Sequence, residues 1–223
     1  IKTKQSVNLI CYVEDDINLY PSHKQIKYLN LFKEQPESLN FYKRNFEKNQ
    51  KFANASYLLD AVKFSYKVYA QNDSRKYGDY IFYIDSDTEF KNQIPINWYD
   101  DCLPIDVFIS IFDRLGFYTE TGFLAFNNVI TNNKGNKIAD DFFKLYVNYY
   151  NNDLIFSLPA FTDCHALDAT RWRFIFLKKI VLEYSNYKEK HLGNWIKKRD
   201  INVMNDDFVS KYIVHKKGNL KNN

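Results

Sequence analysis

Tyr80-Ile81-Phe82-Tyr83-Ile84-Asp85-Ser86-Asp87 carries the clearest fold signal in the chain. Its first five residues are aromatic or β-branched without a polar break, the composition of a strand buried inside a sheet. Two carboxylates follow at once. In α/β proteins ligands gather where strands end. Two acidic side chains two residues apart at such an end can share a hard divalent cation, Mn2+ or Mg2+, which in turn holds phosphate oxygens. Asp-x-Asp is common in ordinary surface turns, and the apolar run before Asp85 is what separates this pair from that reading.

The neighbouring segments alternate between helical and strand patterns. Upstream, Tyr57, Ala61, Phe64, Ser65 and Val68 recur at helical spacing, which predicts an amphipathic helix over residues 56–71 carrying Lys63 and Lys67. Residues 72–78 read as a polar turn, and residues 7–13 as a short buried strand ending at Glu14-Asp15-Asp16. Residues 22–50 are polar, basic and aromatic without a clean face, and read as irregular helix and loop. Downstream, 107–112 and 122–126 read as strands separated by a loop with Arg114 and Glu120. A turn over 131–137, helices over 138–150 and 168–184, and a closing strand around Val203, Phe208 and Tyr212-Ile213-Val214 complete the chain. This is an α/β pattern, with no repeat and no linker-like stretch, so a single domain spanning 1–223 is expected.

Composition narrows the function classes. The 223 residues are 45% hydrophobic and include 19 Phe, 18 Tyr and 3 Trp, which excludes wholesale disorder. A formal net charge of +4 suits a phosphorylated small molecule, while the basic stripe that a nucleic-acid binder needs is missing, because the lysines are scattered among acids. Cys11, Cys102 and Cys164 are an odd number without CxxC spacing, pointing to a reducing compartment rather than a disulfide framework or zinc site. No apolar run is long enough to span a membrane and no leader pattern opens the chain, so a cytoplasmic location is expected. The chain starts at Ile1, not Met. His23 and His191 lie in polar segments and read as surface residues.

A second motif follows the last strand: His215-Lys216-Lys217-Gly218-Asn219-Leu220-Lys221. Imidazole is a good third ligand for Mn2+, Gly218 lets backbone approach a phosphate, and Lys221 can neutralise a diphosphate. Read alone it is a basic tail. Together with Asp85 and Asp87 it forms a coherent metal and diphosphate site.

With both motifs in hand the chain resembles the metal-dependent glycosyltransferases of the GT-A fold, in particular the glycogenin and galactosyltransferase-like group, where a strand ends in Asp-x-Asp and a late His-x-x-Gly-x-x-Lys follows. Residues 120–127, Glu120-Thr121-Gly122-Phe123-Leu124-Ala125-Phe126-Asn127, with 56–70 and 162–168, are also similar to uncharacterised bacterial and phage proteins of that fold. The resemblance covers most of the chain from about Ser56 onward. It implies a mixed central sheet flanked by helices, binding of Mn2+ (or Mg2+) by Asp85, Asp87 and His215, and a nucleotide-sugar donor, UDP-linked by preference, held by Asp85, Ser86, Gly218 and Lys221. Lys63 and Lys67 would face the donor phosphates or sugar, and Asp163 the sugar hydroxyls or the acceptor, which would be a glycan, a protein or a small molecule. The group usually continues Lys-Pro-Trp where this chain has Asn222 and Asn223. Residues 7–13 look more like the second strand of the fold than the first, placing part of the nucleotide pocket upstream of Ile1.

In such a transfer the metal and lysine stabilise charge building on the departing diphosphate. An inverting enzyme adds a carboxylate base, for which Asp163 and Glu120 are candidates; the glycogenin-like motif favours retention. Asp163, His165 and Asp168 also fit a plain helix start with an Asp cap. Two rivals stand beside the transferase: a sugar-phosphate nucleotidyltransferase, which lacks its Gly-rich loop here, and a non-catalytic glycan-binding module stacking its aromatics on sugars. A phosphatase would need Thr or Val where Glu89 stands.

Overall fold

A computed structural model describes residues 9–112, 118–132, 134–176, 201–203 and 210–215. The protein is a mixed α/β molecule, as its patterning requires, and its described strands form three small sheets. The chain divides into two compact units, one gathering Asp79–Asp140 with the described residues from Arg171 on, the other the described residues up to Gly78 with Asp141–Thr170. Two of the crossings between units fall inside continuous helices, at Asp140/Asp141 and Thr170/Arg171, so no change of composition marks them.

The unit containing the Asp-x-Asp stretch is built on a four-stranded mixed sheet. It is made from β3 (Tyr80–Ile84), β6 (Glu120–Asn127), β5 (Ile109–Phe112) and β7 (Ile201–Val203), in that order. β6 runs antiparallel to both β3 and β5, and β7 is parallel to β5. A separate antiparallel ribbon pairs β4 (Thr88–Phe90) with β8 (Ile213–His215). Between β4 and β5, α4 (Trp98–Cys102) lays Trp98 and Cys102 into a core with Ile94, Phe112, Phe123 and Ile213. The rings meet edge-on, Trp98 with Phe123 at 5.6 Å and Phe82 with Tyr99 at 5.0 Å between centroids, an arrangement that adds to their area burial.

The other unit opens with β1 (Leu9–Val13), parallel to β2 (Ile26–Asn30), followed by α1 (Leu31–Glu34), α2 (Pro36–Ala55) and α3 (Ala61–Ser74). Most of α5 (Ile138–Asn151) and the first half of α6 (Asp163–Phe176) complete it. The reading of residues 22–50 as irregular is corrected here, because they hold a strand, a short helix and most of a 20-residue helix. α2 escapes a hydrophobicity pattern because three of the four residues it buries, Ser38, Asn45 and Asn49, are polar; only Phe41 is apolar. Hydrogen bonds make that burial tolerable: Asn49 Nδ2 donates to Asp60 at 2.7 Å and its Oδ1 accepts from Val62 N–H at 3.2 Å.

Smaller differences follow from capping. α3 starts at Ala61 because the Asp60 side chain accepts the Lys63 N–H, leaving Tyr57 outside the helix and 70% exposed. α6 starts at Asp163, five residues before the expected 168, because Thr162 Oγ1 accepts the His165 N–H at 3.3 Å. His23 is exposed, as expected, while Arg114, His191 and Phe208 lie outside the described residues. No helix among the described residues is long and apolar enough to cross a membrane.

Candidate functional site

The alternation of β3 sorts its side chains before any ligand is considered. Phe82 and Ile84 pack against the core, so Tyr83 and Asp85 share the opposite face. Tyr83 Oη donates to Asp85 Oδ1 at 3.0 Å, which orients a carboxylate that is only 8% exposed. The Asp85 N–H donates to the Gly122 carbonyl at 2.9 Å, carrying the β3–β6 ladder one step past the strand, and the Asp85 carbonyl accepts the Thr88 N–H at 3.1 Å. That second bond closes a turn with Ser86 and Asp87 at its centre. Ser86 is exposed and Asp87 half-buried.

The turn then feeds β4. In the register of the β4–β8 ribbon, Thr88 stands opposite His215, so the backbone of the late His motif lies beside the residue that follows Asp87. Gly218 and Lys221 lie outside the described residues. Among the described residues no three His, Cys, Asp or Glu side chains cluster as a metal site. The donor chemistry nevertheless suits a hard cation: carboxylates at a strand end, one of them held by a phenol hydroxyl as an outer-sphere partner would hold it.

Glu120 opens β6 instead of lying in the preceding loop. Its carboxylate accepts the Gly122 N–H at 3.0 Å, and the Gly122 carbonyl accepts the Asp85 N–H, so one residue links Glu120 to the Asp-x-Asp turn.

The remaining candidates lie in the other unit. Lys63 is exposed on the first turn of α3 and Lys67 stands one turn on. Lys67 Nζ lies 4.0 Å from Asp163 Oδ2, with the lysine side chain 26% exposed and the aspartate fully enclosed. Spacing alone does not show this pairing. Beside Asp163, Thr162 Oγ1 and His165 Nδ1 are 2.8 Å apart. Burial pushes the His165 imidazole below its ordinary pKa, against the opposing charge of Asp168.

Three contributors escape a motif search: Tyr83, Thr88 and Gly122. Period-two alternation from Asp85 points to Tyr83, whereas Thr88 and Gly122 enter through pairing with distant strands. Compared with protein-family models, with curated proteins and with solved structures, the chain finds no match.

Proposed function

We propose that this chain is a metal-dependent glycosyltransferase of GT-A type that moves a sugar from a nucleotide-diphosphate donor, preferentially UDP-linked, to a hydroxylated acceptor. The observation that carries the reading is the register of β4 with β8, which sets Thr88, the residue after the Asp-x-Asp pair, opposite His215, the first residue of the late motif.

In this reading Asp85 and Asp87 hold the cation, with His215 as third ligand and Lys221 and Gly218 on the diphosphate. The bound cation supplies positive charge where the leaving diphosphate becomes more negative. Tyr83 fixes the Asp85 carboxylate before the ligand arrives, so less reorganisation is needed on binding. Glu120 is the carboxylate tied to the same turn through Gly122, and is the candidate to accept an acceptor hydroxyl proton if transfer inverts configuration.

Calorimetric titration of UDP and GDP, with and without Mn2+, into the wild type, Asp87→Ala and His215→Ala tests the reading. Binding that requires metal and disappears in both variants is the expected result. Absence of nucleotide binding under every condition overturns it and shifts weight to a glycan-binding module, which would bind oligosaccharide without nucleotide.

A further inference from the structure

Arg171 is a cation turned inward within the unit that holds the Asp-x-Asp turn. On α6 it is 7% exposed and Phe174, one turn on, is fully buried, while Trp172 and Arg173 between them are exposed. A guanidinium in such a place loses hydration and keeps its charge, a cost that only hydrogen bonds or opposite charge offset. An apolar side chain would fill that face of the helix without the cost. Packing alone therefore does not call for an arginine here; its contact does.

That contact reaches the start of β6. Arg171 Nη1 donates to Thr119 Oγ1, and Thr119, itself 1% exposed, directly precedes Glu120. Because β3 and β6 are antiparallel with Ile84 opposite Phe123, the start of β6 lies beside the end of β3. From Thr119 the connection runs through one peptide bond to Glu120, whose carboxylate accepts the Gly122 N–H at 3.0 Å. The Gly122 carbonyl in turn accepts the Asp85 N–H at 2.9 Å. Every link is a covalent bond or a hydrogen bond inside one unit. Glu120 is half-buried, so its carboxylate keeps some access to solvent while Arg171 and Thr119 behind it keep almost none.

We infer that Arg171 and Thr119 are positioning residues that clamp the start of β6, fixing the Glu120 carboxylate and, through Gly122, the backbone that carries Asp85. This rests on the transferase reading, in which Asp85 holds the cation and Glu120 is the candidate base. The fork of the guanidinium holds the threonine hydroxyl from the interior, and the extended backbone transmits that restraint to the next residue.

Two measurements on the full chain test this, one of which needs no nucleotide. Thr121-Gly122 is the one Thr-Gly pair in the sequence, so labelling threonine with carbon-13 and glycine with nitrogen-15 selects the Gly122 amide in NMR. Its signal should move as the Glu120 carboxylate titrates, and Glu120→Gln should abolish that movement. In Thr119→Val, and in Arg171→Lys, the movement should shrink to about half or less, while Thr119→Ser, which keeps the hydroxyl, should retain it. A Gly122 titration that is unchanged in Thr119→Val, or that persists in Glu120→Gln, overturns the inference whatever the protein binds. In calorimetry with UDP and Mn2+, Thr119→Val and Arg171→Lys should each weaken binding about fivefold, with the double variant no weaker than either single one. Losses that multiply in the double variant overturn the inference by showing that the two residues act separately. Asp87→Ala keeps the parent reading distinct: if it binds as wild type does, the metal site fails while the Gly122 titration still decides the clamp. Unchanged far-ultraviolet circular dichroism shows that each variant is folded.

Discussion

Asp153 holds a left-handed backbone conformation at φ 57°, the one such non-glycine residue among those described, and its side chain compensates the strain with hydrogen bonds. Arg44 donates to both carboxylate oxygens and to the Tyr150 and Asn151 carbonyls at the end of α5, and Asn45 Nδ2 donates to Asp153 Oδ1 at 2.8 Å. Burial alone would raise the Asp153 pKa, but the Arg44 and Asn45 hydrogen bonds and the Arg44 charge bring it below the usual 3.8. A carboxylate depressed in the folded state stabilises the fold above its unfolded pKa and loses that contribution as pH falls through the folded value. Urea unfolding across pH 2 to 7 should therefore show wild type losing more stability below about pH 4 than Asp153→Asn does. Tyr83 carries a residue-scale prediction for the site: Tyr83→Phe should weaken Mn2+-dependent UDP binding about tenfold without unfolding the protein, as measured by calorimetry. Asp85 and Asp87 are legible as a candidate pair because strand hydrophobicity ends abruptly at them. The enclosure of Asp163 is not legible, since burial of a polar residue depends on what packs over it.

At the scale of elements, a helix can be held by polar residues as firmly as by apolar ones. Asn49 on α2 joins the cap residue of α3 to the Val62 N–H, so Asn49→Ala should cost about 2 kcal/mol in urea unfolding, while the exposed Gln50→Ala should be near neutral. β8 makes the opposite point, since it is only three residues long and is anchored by Ile213 in the core with Trp98 and Cys102. Ile213→Ala should cost about 3 kcal/mol. Because β8 brings the His215 backbone beside Thr88, the same variant should weaken metal-dependent UDP binding, a link that calorimetry reads directly. Strands β3, β5 and β6 were readable from their apolar runs. α2 was not, because its buried face carries Ser38, Asn45 and Asn49 where hydrophobic spacing is sought.

For the molecule as a whole, ligand binding and stability are linked by mass action. A ligand that binds only the native state adds about 2.7 kcal/mol at a hundredfold excess over its Kd. UDP with Mn2+ should therefore raise the thermal midpoint of the wild type, neither component alone should match it, and Asp87→Ala should abolish the rise in differential scanning calorimetry. Local runs of side chains and the period of the backbone are enough to reveal the α/β class, the strand that ends in Asp85-Ser86-Asp87, and a second polar motif after the last strand. The pairing of Thr88 with His215, the link from Glu120 through Gly122 to Asp85, and the approach of Lys67 to an enclosed Asp163 emerge on folding. These are contacts between residues far apart in the chain, set by strand register and by the packing of one helix on another, and no local pattern encodes either.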